Sequence, residues 1–248
     1  MTKMEKNLKK IILFLIVLII GLLIVKLNIK NSYLESEIEN QVVIVKIDDL
    51  SNKLKIDLEK SILNREEVSY SSSPYTIVKN NKNYNNLLSL GISGVVPLFY
   101  KIKEGSDNSL LKYIYAMAIE DIMMQKFSYN KIVKGINFDY GWANYKEFEE
   151  SFLKFSQMVP LEYSKIINNG DLKFEEKKEK IIELGLFTVP YLIEDIESNK
   201  NVNECQNLLT ELLVTKRQIV NEKTDINNWI KINKNNYNYI KKINSSVI

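Results

Sequence analysis

Two copies of the tetrapeptide Ile-Glu-Asp-Ile are the first feature of this sequence that could carry chemistry. They place paired carboxylates at Glu120 and Asp121 and again at Glu194 and Asp195. Paired carboxylates can bind a divalent cation or act as general acid and base. Adjacent residues on a helix, however, point about 100° apart and do not converge on one atom. We therefore expect each pair to form a solvated polar stripe on its helix, with a catalytic role as the alternative.

Histidine and cysteine, the side chains that most often bind zinc or supply a nucleophile and base, are nearly missing. The sequence has no histidine, and Cys205 is its only cysteine. This excludes intrachain disulfides, Cys/His zinc sites and histidine general bases. Cys205 has no neighbouring lysine in sequence that would lower its pKa, so we expect an inert, half-buried thiol. Glycine-rich phosphate loops and zinc-ligand spacings are also missing from the sequence, and we predict no cofactor and no metal.

One aromatic-rich stretch stands outside the predicted helices, Phe-Asp-Tyr-Gly-Trp at residues 138–142. It belongs to an irregular segment, Phe127 to Trp142, that we expect to be the longest loop of the domain. Loop aromatics are typical of contact sites, although a loop Trp more often fastens its own loop to the core. Phe138, Tyr140 and Trp142 are therefore the candidate partner-binding residues, and no catalytic, cofactor-binding or metal residue is predicted.

An apolar run near the start of the sequence determines where in the cell we expect the rest of the chain to lie. Residues 11–25 hold no polar side chain, and Leu27 and Ile29 extend the run. As a helix, residues 11–29 would be about 28 Å long, close to the thickness of the hydrocarbon core. More lysines precede the run than follow it, which places the N-terminus in the cytoplasm. We predict a basic cytoplasmic tail at residues 1–10 and a single-pass transmembrane anchor at 11–29.

A cleaved signal peptide begins in the same way, so the residues after the run decide between the two. Residues 25–29 read Val-Lys-Leu-Asn-Ile, where a signal peptidase requires small residues, and no cysteine follows closely for lipid attachment. We predict an uncleaved signal-anchor in the cell membrane with the rest of the chain extracytoplasmic.

The charge of the part outside the anchor excludes a nucleic-acid partner. Beyond residue 30 the sequence has 28 basic and 30 acidic residues, so no basic excess is available for a phosphate backbone. The abundance of Lys, Asn and Ile resembles the coding bias of AT-rich bacteria. The expected partners are the membrane, through residues 11–29, and a protein of the bacterial envelope.

Residues 30–73 are predicted to form a juxtamembrane helical arm and a linker. Apolar residues recur at threes and fours over residues 47–62, a narrow stripe that suits one neighbouring helix or self-association with a second copy. Residues 42–47, Val-Val-Ile-Val-Lys-Ile, could instead form a short strand, but no partner strand is evident. The serine-rich stretch before Pro74 is the predicted linker.

Helical periodicity continues through residues 74–244. The segment that ends near Lys126 is apolar over most of its circumference, which predicts a central helix. The helix predicted at Ala143–Val159 carries an aromatic stripe, including Phe148, Phe152 and Phe155, for which core packing is the expected role.

Two junctions in this domain are similar to each other. Leu90-Gly91 is followed by Val96-Pro97, and Leu184-Gly185 by Val189-Pro190, with one residue fewer between Gly and Pro. The pattern predicts a helix that ends at a glycine of positive φ, and a second helix with proline in its first turn.

This junction resembles the Leu-Gly…Val-Pro junction of HEAT-type repeats, in which stacked helix pairs build a solenoid. The resemblance covers the two junctions and the adjoining helices, about half of the domain. The two glycines are 94 residues apart, two HEAT periods, but no middle unit is recognisable. The resemblance implies a surface for protein binding and brings no catalytic residues.

The sequence therefore predicts an all-α chain: a transmembrane helix and a juxtamembrane arm, followed by a short HEAT-like stack or an irregular bundle. The predicted role is a membrane-anchored extracytoplasmic scaffold or protein-binding module. The alternative is a cell-surface hydrolase that uses carboxylates such as Glu120 and Glu194, which would have to face each other across one cleft.

Overall fold

The structure, a computed structural model, describes residues 41–60, 78, 80–104, 109–127, 144–219 and 223–245. Within these ranges the chain is helical and contains no strand, so the all-α prediction is confirmed. The predicted tail (1–10), anchor (11–29) and linker lie outside the described residues. None of the helices that the structure describes is both long and apolar enough to cross a membrane.

The helices are numbered in chain order. They are α1 (residues 41–60), α2 (Lys82–Leu88), α3 (Ile92–Glu104), α4 (Ser109–Met123), α5 (Tyr145–Ile167), α6 (Phe174–Leu184), α7 (Val189–Glu197), α8 (Val202–Thr215), α9 (Ile226–Ile240) and α10 (Lys242–Ser245). A 3₁₀ turn, Gly185–Thr188, joins α6 to α7.

Helix α1 is part of the main core. The helix covers residues 42–47, so the strand alternative for that segment is wrong. Its apolar stripe is buried in the same cluster as the other helices, because the positions three and four apart all face inward. The buried side chains of the stripe are Ile47, Leu50, Leu54 and Leu58. Residues 43–60 thus belong to one compact unit with α2–α10.

Helix α4 lies at the centre of the domain, as its composition predicts. Every residue from Ile114 to Ile119 is at most 6 % exposed, and α4 packs against α2, α3 and α5. The aromatic stripe of α5 is also buried: Phe152 contacts the rings of Phe99 on α3 and Phe127, with centroids 4.8 and 4.9 Å apart. The core role predicted for this stripe is confirmed.

The two glycine junctions have the predicted positive φ, +58° at Gly91 and +69° at Gly185. Helix α6 ends at Gly185 as expected, but α2 already ends at Leu88, so the expected helix end at Gly91 is wrong. Pro190 lies in the first turn of α7, as expected. The expectation for Pro97 is wrong, because α3 begins directly after the glycine at Ile92 and Pro97 lies inside the helix.

The two junctions differ in how the chain leaves the glycine. An α-helix begins at Ile92, directly after Gly91, whereas a 3₁₀ turn, Gly185–Thr188, precedes α7.

Helices close in sequence make most of the packing: α3 with α4, α4 with α5, α5 with α6, and α7 with α8. The exception is α9, which returns to pack against α3 and α7, while α10 reaches α5.

Candidate functional site

Each of the four carboxylates of the repeated tetrapeptides has different partners. Glu120 is 4 % exposed, and its Oε1 accepts a hydrogen bond from the backbone N–H of Phe127 at 2.9 Å. Its Oε2 accepts from Lys126 Nζ at 2.9 Å. This buried carboxylate therefore fastens the turn that follows α4, and the expectation of a solvated stripe is wrong for Glu120.

The aspartates of the two copies make equivalent contacts. The Tyr84 hydroxyl donates to Asp121 Oδ2, and the Tyr163 hydroxyl donates to Asp195 Oδ2, each at 2.7 Å. The first hydrogen bond thus joins α2 to α4, and the second joins α5 to α7. Hydrogen bonds to an ionised acceptor are stronger than neutral ones, so each tie stabilises a contact between helices.

Glu194 forms an ion pair with Lys241, whose ammonium also lies over the ring of Tyr191 at 4.4 Å. The Glu194 side chain is 60 % exposed, as expected for a solvated stripe. Glu120 and Glu194 thus share no partner. Among the described residues, no group of three or more Cys, Asp or Glu is placed to hold a metal ion.

The turn after α4 makes hydrogen bonds with α6 and with the end of α8. Met124 has a φ of +47°, and the amide of Gln125 donates back to Glu120 O at 3.1 Å, which closes a Schellman-type helix end. Lys216, just after α8, donates from Nζ to Met124 O at 3.0 Å. The side chain of Gln125 donates to Glu183 O of α6 at 3.3 Å, and its buried Oε1 has no hydrogen-bond partner.

This turn leads directly into the segment that carries the candidate partner-binding residues. Phe138, Tyr140 and Trp142 lie outside the described residues, as does all of 128–143. Its two flanks are close together, because the rings of Phe127 and Phe148 meet with centroids 5.9 Å apart. Phe127, directly before the segment, and Phe148, in the first turn of α5 after it, are thus both part of the aromatic core.

Cys205 is fully buried on α8, so the expectation of a half-buried thiol is wrong. Burial, and to a lesser extent the nearby Asp195 carboxylate, raise the pKa of its thiol to about 11. Burial also raises the pKa of the neighbouring Tyr163 hydroxyl. The hydrogen bond that this hydroxyl donates to Asp195 raises its pKa further. A thiol that stays protonated at neutral pH is a poor nucleophile, in agreement with the expected inert thiol.

A partly buried ion pair joins α6 to α8. Lys177 Nζ lies 3.0 Å from Glu204 Oε1 and also donates to Ile167 O at 3.3 Å. The lysine side chain is 8 % exposed, so it needs both acceptors to offset the loss of water. Sequence reasoning missed this pair, because the two residues are 27 positions apart.

A shallow cleft of about 150 Å³ lies between α5 and α6. Ile166 and Leu184 contribute apolar walls, and the charged lining residues are Glu162, Lys180 and Glu183. The cleft contains none of the four tetrapeptide carboxylates. It is smaller than a typical ligand pocket, and its mixed charges select no ligand class.

Sequence reasoning also missed the tyrosine ties. The recurrence of Ile-Glu-Asp-Ile was the available signal, because identical tetrapeptides on two helices suggest a shared role. Comparison with known proteins adds no family: no family model, no curated protein and no solved structure matches this chain.

Proposed function

We propose that this chain is a membrane-anchored extracytoplasmic scaffold that binds another protein of the bacterial envelope. One observation carries the proposal: three of the four carboxylates best suited to chemistry accept buried or half-buried hydrogen bonds within the fold, and the fourth forms an exposed ion pair. Glu120 fastens a turn, Asp121 and Asp195 bind tyrosines, and Glu194 pairs with Lys241. A domain whose acidic motifs are used mainly in structural contacts is better suited to present a binding surface than to catalyse a reaction.

The proposed fold relationship is a short, degenerate HEAT-like stack. It is supported by the positive φ of both junction glycines and by the predominance of packing between successive helices. The return of α9 to α3 and α7 departs from a simple stack, so the irregular bundle is the competing description.

The proposed location rests on the apolar run at residues 11–29 and the lysines before it. Protease added to intact cells should remove the domain and leave a short membrane-bound fragment. Cleavage that requires cell lysis would contradict the proposed orientation.

The proposed partner-binding residues are Phe138, Tyr140 and Trp142. The test is a pull-down from envelope extracts with the full chain or with residues 41–248. A fragment that starts near residue 73 is unsuitable, because it lacks the buried side chains of α1. The binding variant is Tyr140→Ala with Trp142→Ala, and the matched control is Tyr129→Ala, an aromatic residue of the same segment.

A specific partner lost with the double variant and kept with the control would support the proposal, provided that both variants melt at the wild-type temperature. Equal capture by both variants would contradict the assignment of these residues. Hydrolysis of wall or peptide material by the purified chain, lost in a folded Glu120→Gln variant, would favour the hydrolase alternative.

A further inference from the structure

Helix α9 binds a face made by two helices that are distant from it in sequence. It packs against α3 and α7, and these are the helices that follow the two Leu-Gly junctions. Its apolar side chains recur along one face, at Ile230, Tyr237 and Ile240, and each is at most 6 % exposed. Trp229 completes this stripe and lies against Tyr237, with ring centroids 5.3 Å apart. The contact is therefore that of an amphipathic helix in an apolar groove.

Opposite charges define the orientation of α9 on α7. Residues 226–245 contain four lysines and no acidic residue. Lys234 pairs with Glu197 at 2.8 Å, and Lys241 pairs with Glu194 one turn away on the same helix. Lys241 also contacts the ring of Tyr191. Two lysines, one in α9 and one directly after it, thus face two carboxylates of α7.

The composition of α9 gives it a weak local tendency to form a helix. Six of its fifteen residues are asparagine, which is a weak helix former because its side chain competes for backbone hydrogen bonds. A segment of this composition gains little from local propensity, and tertiary packing supplies most of its stability. The same groove can hold an identical segment from another molecule with the same contacts.

We propose that α9 is an exchangeable helix, and that the α3–α7 groove accepts α9 from a second copy of this chain. The second copy is the natural occupant, since α9 is the sequence that matches the groove in both apolar spacing and charge. Exchange of an identical element is a common route to dimers. Self-association through the 47–62 stripe, by contrast, would require Ile47 and Leu54 to leave the core.

This inference deepens the proposed scaffold role, on which it rests for its purpose: anchored copies in one membrane would be linked through α9. Anchoring also favours exchange, because it raises the local concentration of second copies. The contact itself is independent of any envelope partner.

Two charge-reversed full-length variants test the exchange. The groove variant carries Glu194→Lys and Glu197→Lys, and the helix variant carries Lys234→Glu and Lys241→Glu. Each variant alone places like charges across its own α9 contact, whereas a mixture restores opposite charges only between copies. Association of the mixture, measured by native mass spectrometry in detergent, should be at least about tenfold stronger than that of either variant alone.

The matched control carries all four substitutions in one chain, which restores the opposite charges within the copy, and it should behave as the wild type. A mixture that stays monomeric while both variants retain helical circular dichroism would overturn the inference. If either variant fails to fold alone, refolding the two together decides the question: a heterodimer supports exchange, and its failure to form overturns it. A negative result here leaves the pull-down from envelope extracts unaffected, so the two proposals fail separately.

Discussion

The first and second copies of the repeated motifs carry the same residues in different surroundings. A Cβ at Gly91 would meet no atom within 4 Å, whereas a Cβ at Gly185 would fall 1.9 Å from Gln125 Oε1. Gly185 also has a ψ of −158°, which together with its positive φ places it in a backbone region that essentially only glycine occupies. The first glycine thus lies in the turn between α2 and α3, while the second ends α6 and leaves room for the Gln125 side chain.

The tetrapeptides differ in a similar way. Glu120 is buried under its turn, and Glu194 is largely exposed beside Lys241. The aspartates, by contrast, bind tyrosines at the same distance in both copies. The two identical tetrapeptides therefore both lie in helices, but residues distant in sequence determine the burial and the partners of each carboxylate.

The largest expected difference is between the two glycines. Gly185→Ala should lower the free energy of unfolding by about 3 kcal/mol, because it combines a forbidden backbone conformation with displacement of Gln125. Gly91→Ala should cost about 1 kcal/mol, from its positive φ alone. Urea denaturation of both variants measures the difference, and Gln125→Ala should recover part of the loss at Gly185 only. Equal losses at the two glycines would remove the distinction between the junctions.

The tyrosine ties should be equal in strength. Tyr84→Phe and Tyr163→Phe each remove one hydroxyl donor from a half-buried carboxylate, so each should cost about 2 kcal/mol. Chemical denaturation of the two variants, with Tyr239→Phe as a control on a residue outside these ties, provides the comparison. A cost at one tyrosine alone would mean that the two contacts are not equivalent.

The smallest effect is expected at the helix ends after the tetrapeptides. Met124 and Asn199 both have positive φ, +47° and +58°, at the ends of α4 and α7. Methionine is strained in this conformation and asparagine tolerates it, so Met124→Gly should raise stability by about 1 kcal/mol and Asn199→Gly by less. Thermal melts of the two variants would measure this. A larger gain at Asn199 would contradict the assignment of strain.

The sequence predicted the local features of this fold and missed the long-range ones. Periodicity and glycine position were sufficient for α4, for the buried stripe of α5 and for the positive φ of Gly91 and Gly185. Pro97 was misplaced, because the start of α3 depends on whether the chain leaves the glycine as an α or a 3₁₀ turn. Tertiary packing decides between the α turn and the 3₁₀ turn, and the spacing of Gly and Pro in the sequence does not reveal the outcome.

The candidate site shows the same division. The sequence indicated the four carboxylates and the inert Cys205, but it could not indicate that Tyr163 lies against Asp195 or that Gln125 covers Gly185. These contacts join residues 32 and about 60 positions apart, and they depend on helix packing. The α9 groove is likewise a product of packing, because α3 and α7 are far from α9 in sequence.

The central claim is that the buried carboxylate of the repeated tetrapeptides, Glu120, stabilises the fold, and its comparison with the exposed Glu194 tests this most directly. Glu120→Gln removes a charge-assisted hydrogen bond from a buried group and should lower the free energy of unfolding by about 2 kcal/mol. Glu194→Gln removes one exposed ion pair and should change it by less than about 0.5 kcal/mol. Urea denaturation at neutral pH gives both values. A Glu120→Gln variant as stable as the wild type would contradict the claim.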